Sequence, residues 1–212
     1  MLPGRPIFVA VPLPEPARQQ VAELVERVRA LAPGTRPGSP PSVHAVRWVR
    51  LDGLHVTVRF LGPTLPERFP GVEAAVELVG SAAEPFSVRL AGAGAFPRPD
   101  QPRTLWLGMT EGATSIADLA RSLDDALVGA GWPPDPRPSR AHLTLARSDG
   151  LRGGPETVRL LVEAAADWHV DWIADRLVLF ESQTGGGPAR YEPLLEVPLA
   201  GSDSLQPPAP GD

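Results

Sequence analysis

Leu54-His55-Val56-Thr57-Val58 and Ala141-His142-Leu143-Thr144-Leu145 are two copies of one pattern, 87 positions apart. Each alternates polar with apolar residues, the period of a strand that has one face buried. Residues i and i+2 of a strand point to the same side, so each histidine projects beside its threonine, about 7 Å away along the strand. Val56, Val58 and Phe60 then face the other way, as do Leu143 and Leu145, towards covering helices. The polar face is left to solvent or to a ligand. Two such strands set side by side make a cleft with two His-Thr pairs.

The sequence around the motifs alternates strands and helices. A β-branched first strand is expected over 5–12, and a helix over 15–32 with Val21, Leu24, Val25, Val28 and Leu31 on one stripe. After a Pro/Gly/Ser-rich loop at 33–42, strands are expected near 46–50 and 54–61, with Gly62-Pro63 as the break. A second helix over 66–80 carries Val72, Val76 and Val79, and strands follow at 85–95 and 104–110. A third helix over 112–130 aligns Ile116, Leu119, Ala120, Leu123 and Leu127. A strand at 140–147, a helix near 155–166 and late strands at 169–183 and 190–199 complete the order. This is strand–helix–strands–helix, repeated. It predicts two similar α+β lobes rather than a parallel, doubly wound sheet. One domain over 1–200 is expected, with a lobe boundary near 100, late strands available to return to the first lobe, and a polar, Pro-rich tail over 201–212.

Composition narrows the function. The 212 residues are 42% hydrophobic and include no cysteine, which excludes disulfides, thiol nucleophiles and Cys-ligated zinc. A net charge of −5 with no Lys/Arg block argues against tracking long nucleic acids, which takes many phosphate contacts, but suits a short anionic ligand or a nucleic-acid end. With no long apolar run and no charged leader, a soluble cytoplasmic protein with no membrane contact is expected.

The paired motif suits phosphodiester chemistry. Opening a cyclic phosphodiester needs a base for water and an acid for the departing oxygen, standing on opposite sides of phosphorus. Imidazole serves both roles near neutral pH, and threonine hydroxyls can hold the non-bridging oxygens. Two histidines with neither a carboxylate nor a third histidine at ligand spacing fall short of a zinc site, so no metal and no cofactor are expected. Arg59 and Arg140 are in phase with the motif histidines and are candidates for phosphate contacts, with a structural ion pair as the equal alternative for each. His44 and His169, the five tryptophans and Gly185-Gly186-Gly187 read as structural, the glycines as a hairpin turn.

Leu-His-Val-Thr-Val-Arg-Phe-Leu-Gly (54–62) and Arg-Ala-His-Leu-Thr-Leu-Ala-Arg (140–147) resemble the motifs of the 2H phosphoesterase superfamily. The likeness is narrower still to its bacterial and archaeal RNA 2′,3′-cyclic phosphodiesterases, also called 2′–5′ RNA ligases. Supporting stretches are Ile-Phe-Val-Ala-Val-Pro-Leu (7–13), Thr-Leu-Trp-Leu-Gly (104–108), Leu-Phe-Glu-Ser (179–182) and Ala-Arg-Tyr-Glu-Pro-Leu (189–194). The resemblance implies a bilobal, duplicated α+β fold, two pseudo-two-fold-related antiparallel sheets with outer helices and a central cleft holding both motifs. It implies metal-free hydrolysis of a terminal 2′,3′-cyclic phosphate to a 2′-phosphomonoester, with 2′–5′ ligation as the reverse reaction. It implies His55 as proton donor, His142 as proton acceptor, and Thr57 and Thr144 as phosphate ligands. Arg147, out of strand phase with His142, becomes a phosphate- or base-contacting candidate through the resemblance alone. Ala141 departs from the family's usual proline. The expected partners are RNA ends, short oligonucleotides or nucleotides bearing a cyclic phosphate, and the expected state is a monomer. The alternatives are a non-catalytic nucleotide or RNA-end binder and a phosphodiesterase for another cyclic phosphate, such as ADP-ribose 1″,2″-cyclic phosphate.

Overall fold

The computed structural model describes residues 4–32, 46–136, 140–150, 153–183, 185 and 188–202. The loop expected at 33–42, His44, two of the three Gly185–Gly187 residues and the tail beyond Ser202 lie outside these residues. The described chain forms β1 (Arg5–Pro12), α1 (Glu15–Leu31), β2 (Val46–Trp48), β3 (His55–Thr64), α2 (Phe69–Ala82), β4 (Phe86–Arg98) and β5 (Gln101–Glu111). It continues through α3 (Ala113–Gly129), β6 (His142–Ser148), α4 (Gly154–Ala164), β7 (His169–Ala174), β8 (Arg176–Gln183) and β9 (Arg190–Pro198).

The motif strands β3 and β6 are hydrogen-bonded neighbours, antiparallel, with Val56 opposite Leu143. Both side chains are fully buried. On one side β3 continues into β1, β8 and β9; on the other β6 continues into β5, β4 and β7, with β2 also paired to β6. The two expected sheets are therefore halves of one nine-stranded sheet, joined at the motif strands. Nearly the same order of elements is read outward in both directions from this seam, which is the pseudo-two-fold. α2 packs on β8 and β9, and α4 on β4 and β5. The other two helices cross the seam: α1 packs on α4 and β7, and α3 on α2 and β3.

The helical stripes become the core, with Val21, Leu24, Val25 and Val28 of α1 and Ile116, Leu119, Leu123 and Leu127 of α3 all buried. Leu31 does not follow its stripe. It lies in the last turn of α1 and is 69% exposed.

Three expectations change. Gly62-Pro63 does not end β3: Gly62, at φ 73°, sits in a bulge opposite Ile7, and pairing continues with Pro63 opposite Pro6. The stretch 169–183 is not one strand. It breaks at Asp175, where β7 pairs with β4 in one half and β8 pairs with β1 in the other. A single residue joins strands from opposite halves, so the sheet must curl until they meet. Residue 100 lies in the turn of the β4–β5 hairpin, and the chain passes from one half to the other between α2 and β4, because hydrogen-bonded hairpins stay within one half.

Truncating the seam removes a side chain with no room for collapse around it. Leu143→Ala should destabilise the protein by about 2–5 kcal/mol in chemical denaturation. A loss below about 1 kcal/mol would show that the seam is not tightly packed.

Candidate active site

With Val56 opposite Leu143, antiparallel register puts His55 across from Thr144 and Thr57 across from His142. The histidines thus stand at diagonal corners of a four-residue patch. Diagonal positions on such a pair lie roughly 7–8 Å apart, which leaves room for one phosphoryl group between two ring nitrogens.

Each imidazole is held the same way. His55 Nδ1 lies 2.7 Å from the carbonyl oxygen of Gly53, and His142 Nδ1 lies 2.6 Å from that of Arg140. A carbonyl only accepts, so Nδ1 carries the hydrogen in both rings and Nε2 is left to gain or lose a proton.

Their surroundings differ. His55 is packed among rings, with centroids 4.7 Å from Phe8, 5.9 Å from Phe180 and 4.9 Å from Tyr191, the last edge-on. Gly53 makes this approach possible: a Cβ there would stand 2.8 Å from Tyr191 Cδ2. His142 meets one ring, that of Phe96, edge-on at 5.2 Å. Burial lowers the His55 pKa below the ordinary imidazole value, the bond to Gly53 opposes that, and charge on His142 adds to it. Burial also lowers the His142 pKa, against the bond to the Arg140 carbonyl and with the charge of Arg147.

A beta-bulge recurs at the same place in both motifs. Val9 pairs with Arg59 but Ala10 with Thr57, so Val58 is the extra residue in β3. Leu105 pairs with Ala146 but Trp106 with Thr144, so Leu145 is the extra residue in β6. Each bulge reverses the alternation beyond it. Arg147 is thereby brought onto the His142/Thr144 face, where it donates to Thr104 Oγ1 at 2.5 Å.

The same device brings Arg59 to the ion-pair alternative: its side chain is 8% exposed, is paired with Asp124 and Asp135, and with them lines the hollow over His142. Phe60, expected under the helices, instead faces the cleft and is 47% exposed. Arg140 precedes β6 rather than lying in it. Its guanidinium stands over the Phe96 ring at 5.8 Å, while its carbonyl holds His142.

Two hollows meet over this patch, sharing Thr57, Thr144 and Arg147. One, of about 780 Å³, contains His55 and is walled by Trp48 and Tyr191. The other, of about 900 Å³, contains His142, with Phe60, Phe96 and Arg140 on its walls. Among the described residues, no three His, Cys, Asp or Glu side chains are grouped to hold a metal ion. Nor is any described helix long and apolar enough to cross a membrane. His169 lies away from the patch, 3.7 Å from Asp171. Sequence reasoning did not single out Phe8, Phe180 or Tyr191 for the site, because they reach His55 only through the pairing of β1 with β3, of β8 with β1 and of β9 with β8.

The fold is that of known phosphoesterases. More narrowly, the chain belongs to the 2′-5′ RNA ligase superfamily, whose model matches residues 12–186. It is similar to the RNA 2′,3′-cyclic phosphodiesterase of Aeropyrum pernix, 32% identical over 159 residues, which cover 74% of this chain and 88% of that protein. A protein of the same name from Geobacillus stearothermophilus is 29% identical over 197 residues, covering 92% of this chain and 57% of that longer protein. Among solved structures, TT0787 of Thermus thermophilus superposes with a TM-score of 0.69 at 25% identity, covering 92% of this chain and 98% of that one.

Both histidines have a folded-state pKa below the unfolded value of about 6.5. As pH falls through that value the unfolded chain takes up protons before the folded one does, so this contribution disfavours the fold below about pH 6.5 and vanishes above it. NMR titration should place both midpoints below about 6.5. A midpoint at or above that value for either ring would show that burial does not govern it.

Proposed function

We propose that the protein hydrolyses a terminal 2′,3′-cyclic phosphate on RNA ends or short oligonucleotides to a 2′-phosphomonoester, by metal-independent acid–base catalysis. The observation that carries this reading is the pair of imidazoles at diagonal corners of the seam, each with Nδ1 bound to a carbonyl and Nε2 free for proton transfer. His142 Nε2 takes a proton from water as it attacks phosphorus. His55, protonated, gives its proton to the departing 3′-oxygen, and the P–O3′ bond breaks. The donor and acceptor roles are taken from the family resemblance, since the two rings have the same hydrogen bond. Thr57 and Thr144 donate their hydroxyls to the non-bridging oxygens, and Arg147 offsets their charge. The relatives named RNA 2′,3′-cyclic phosphodiesterases support this substrate. With a 5′-hydroxyl in place of water as the attacking group, the same steps form a 2′–5′ linkage and release the 3′-hydroxyl. A monomer is sufficient, because both histidines come from one chain.

The test is incubation with an oligoribonucleotide ending in a 2′,3′-cyclic phosphate in excess chelator, separating 2′- from 3′-phosphate products. His55→Ala and His142→Ala should each lower kcat by about 10²–10⁴-fold with the fold intact. Thr144→Val should lower it by about 10²-fold. Undiminished turnover in either histidine variant would refute the mechanism. Product binding without turnover in the unaltered protein would make it an RNA-end binder.

A further inference from the structure

We propose that Arg59 is a positioning residue that sets where His142 stands relative to His55, although it touches neither. Arg59 follows His55 by four positions on β3, and the Val58 bulge turns it towards α3, where it lines the hollow over His142 together with Asp124 and Asp135. Its guanidinium reaches Asp124 Oδ1 at 2.9 Å and Asp135 Oδ2 at 2.7 Å, and donates to the carbonyl oxygen of Pro133 at 2.9 Å. Asp124, on α3, also accepts from the backbone N–H of Asp135, at 3.1 and 3.2 Å to its two oxygens. Pro133 and Asp135 belong to the segment between α3 and β6. In sequence these two residues stand shortly before Arg140, whose carbonyl orients His142. One side chain from the first motif's strand therefore holds two residues just upstream of the second motif.

Stability alone gives no reason for this arrangement. An apolar side chain of similar size fills such a space without the desolvation cost of three charges, often at no loss of stability. What the guanidinium adds is direction, since a planar fork bound to two carboxylates and a carbonyl fixes Pro133 and Asp135 in angle as well as distance. Misplacing a catalytic group by about 1 Å costs on the order of 10²-fold in rate. His142 is the group that would be misplaced.

The variants to make are Arg59→Met, which keeps the volume, and Asp135→Asn, which is milder and guards against a misfolded first variant. Steady-state kinetics and ¹⁵N NMR of the imidazoles are the two readouts. In the folded variants kcat should fall about 10- to 100-fold, more for Arg59→Met, with KM changed less than about threefold. The His142 Nδ1–H signal should weaken or move to a mixture of tautomers while that of His55 is retained. Unchanged kcat and unchanged His142 signals would overturn the proposal. So would equal disturbance of both rings, which is the mark of general loosening. The kinetic readout rests on the proposed hydrolysis but the spectra do not, so an unaltered protein without turnover would count against that reading while the spectra still decide this one.

Discussion

The structure depends on one antiparallel contact, β3 against β6 with Val56 opposite Leu143. The two residues face the interior and are sealed there, so their neighbours His55, Thr57, His142 and Thr144 all emerge on the other face. A shift of one residue in this register would send the histidines into the core and the aliphatic side chains into the cleft. The hydrophobic demand of one face thereby fixes the geometry of the four polar side chains on the other. The remaining strands extend from this pair in two directions, and the helices α1 and α3 cross back over it.

The paired bulges give the patch its breadth. In a regular strand every second residue would face the cleft, and Arg59 would have stood there in the first motif, with Ala146 in the second. The extra residues Val58 and Leu145 move each strand half a period, which presents Phe60 in one copy and Arg147 in the other. Equivalent backbone positions thus carry an aromatic ring on one side of the seam and a cation on the other.

Duplication also explains how two like histidines come to differ. Both sit on the same kind of strand and bond a carbonyl two residues upstream, so their own segments make them equivalent. Their neighbours do not. His55 is enclosed by Phe8, Phe180 and Tyr191, whereas His142 meets Phe96 and the charge of Arg147. The unlike surroundings come from strands that the duplication does not match closely.

The sequence by itself determined the α+β duplication, most helix and strand positions, and the four motif residues, because periodicity and a repeated His-x-Thr are local properties of the chain. It also carried the family, through motifs read in order. It did not decide between phosphate contact and ion pair for Arg59, and it did not reveal that Phe60 faces the cleft, that 169–183 divides between the two halves, or that Tyr191 closes on His55. A bulge adds a residue without altering the hydrophobic pattern that marks a strand, so the sense of alternation beyond it is invisible to that pattern. Arg59 is drawn inward by Asp124 and Asp135, which lie more than sixty positions away along the chain. Those partners, and the strand pairings that enclose His55, exist only once the sheet has formed and curled. Tertiary structure decided them because ion pairs and ring contacts depend on distance in space, which separation along the chain does not set.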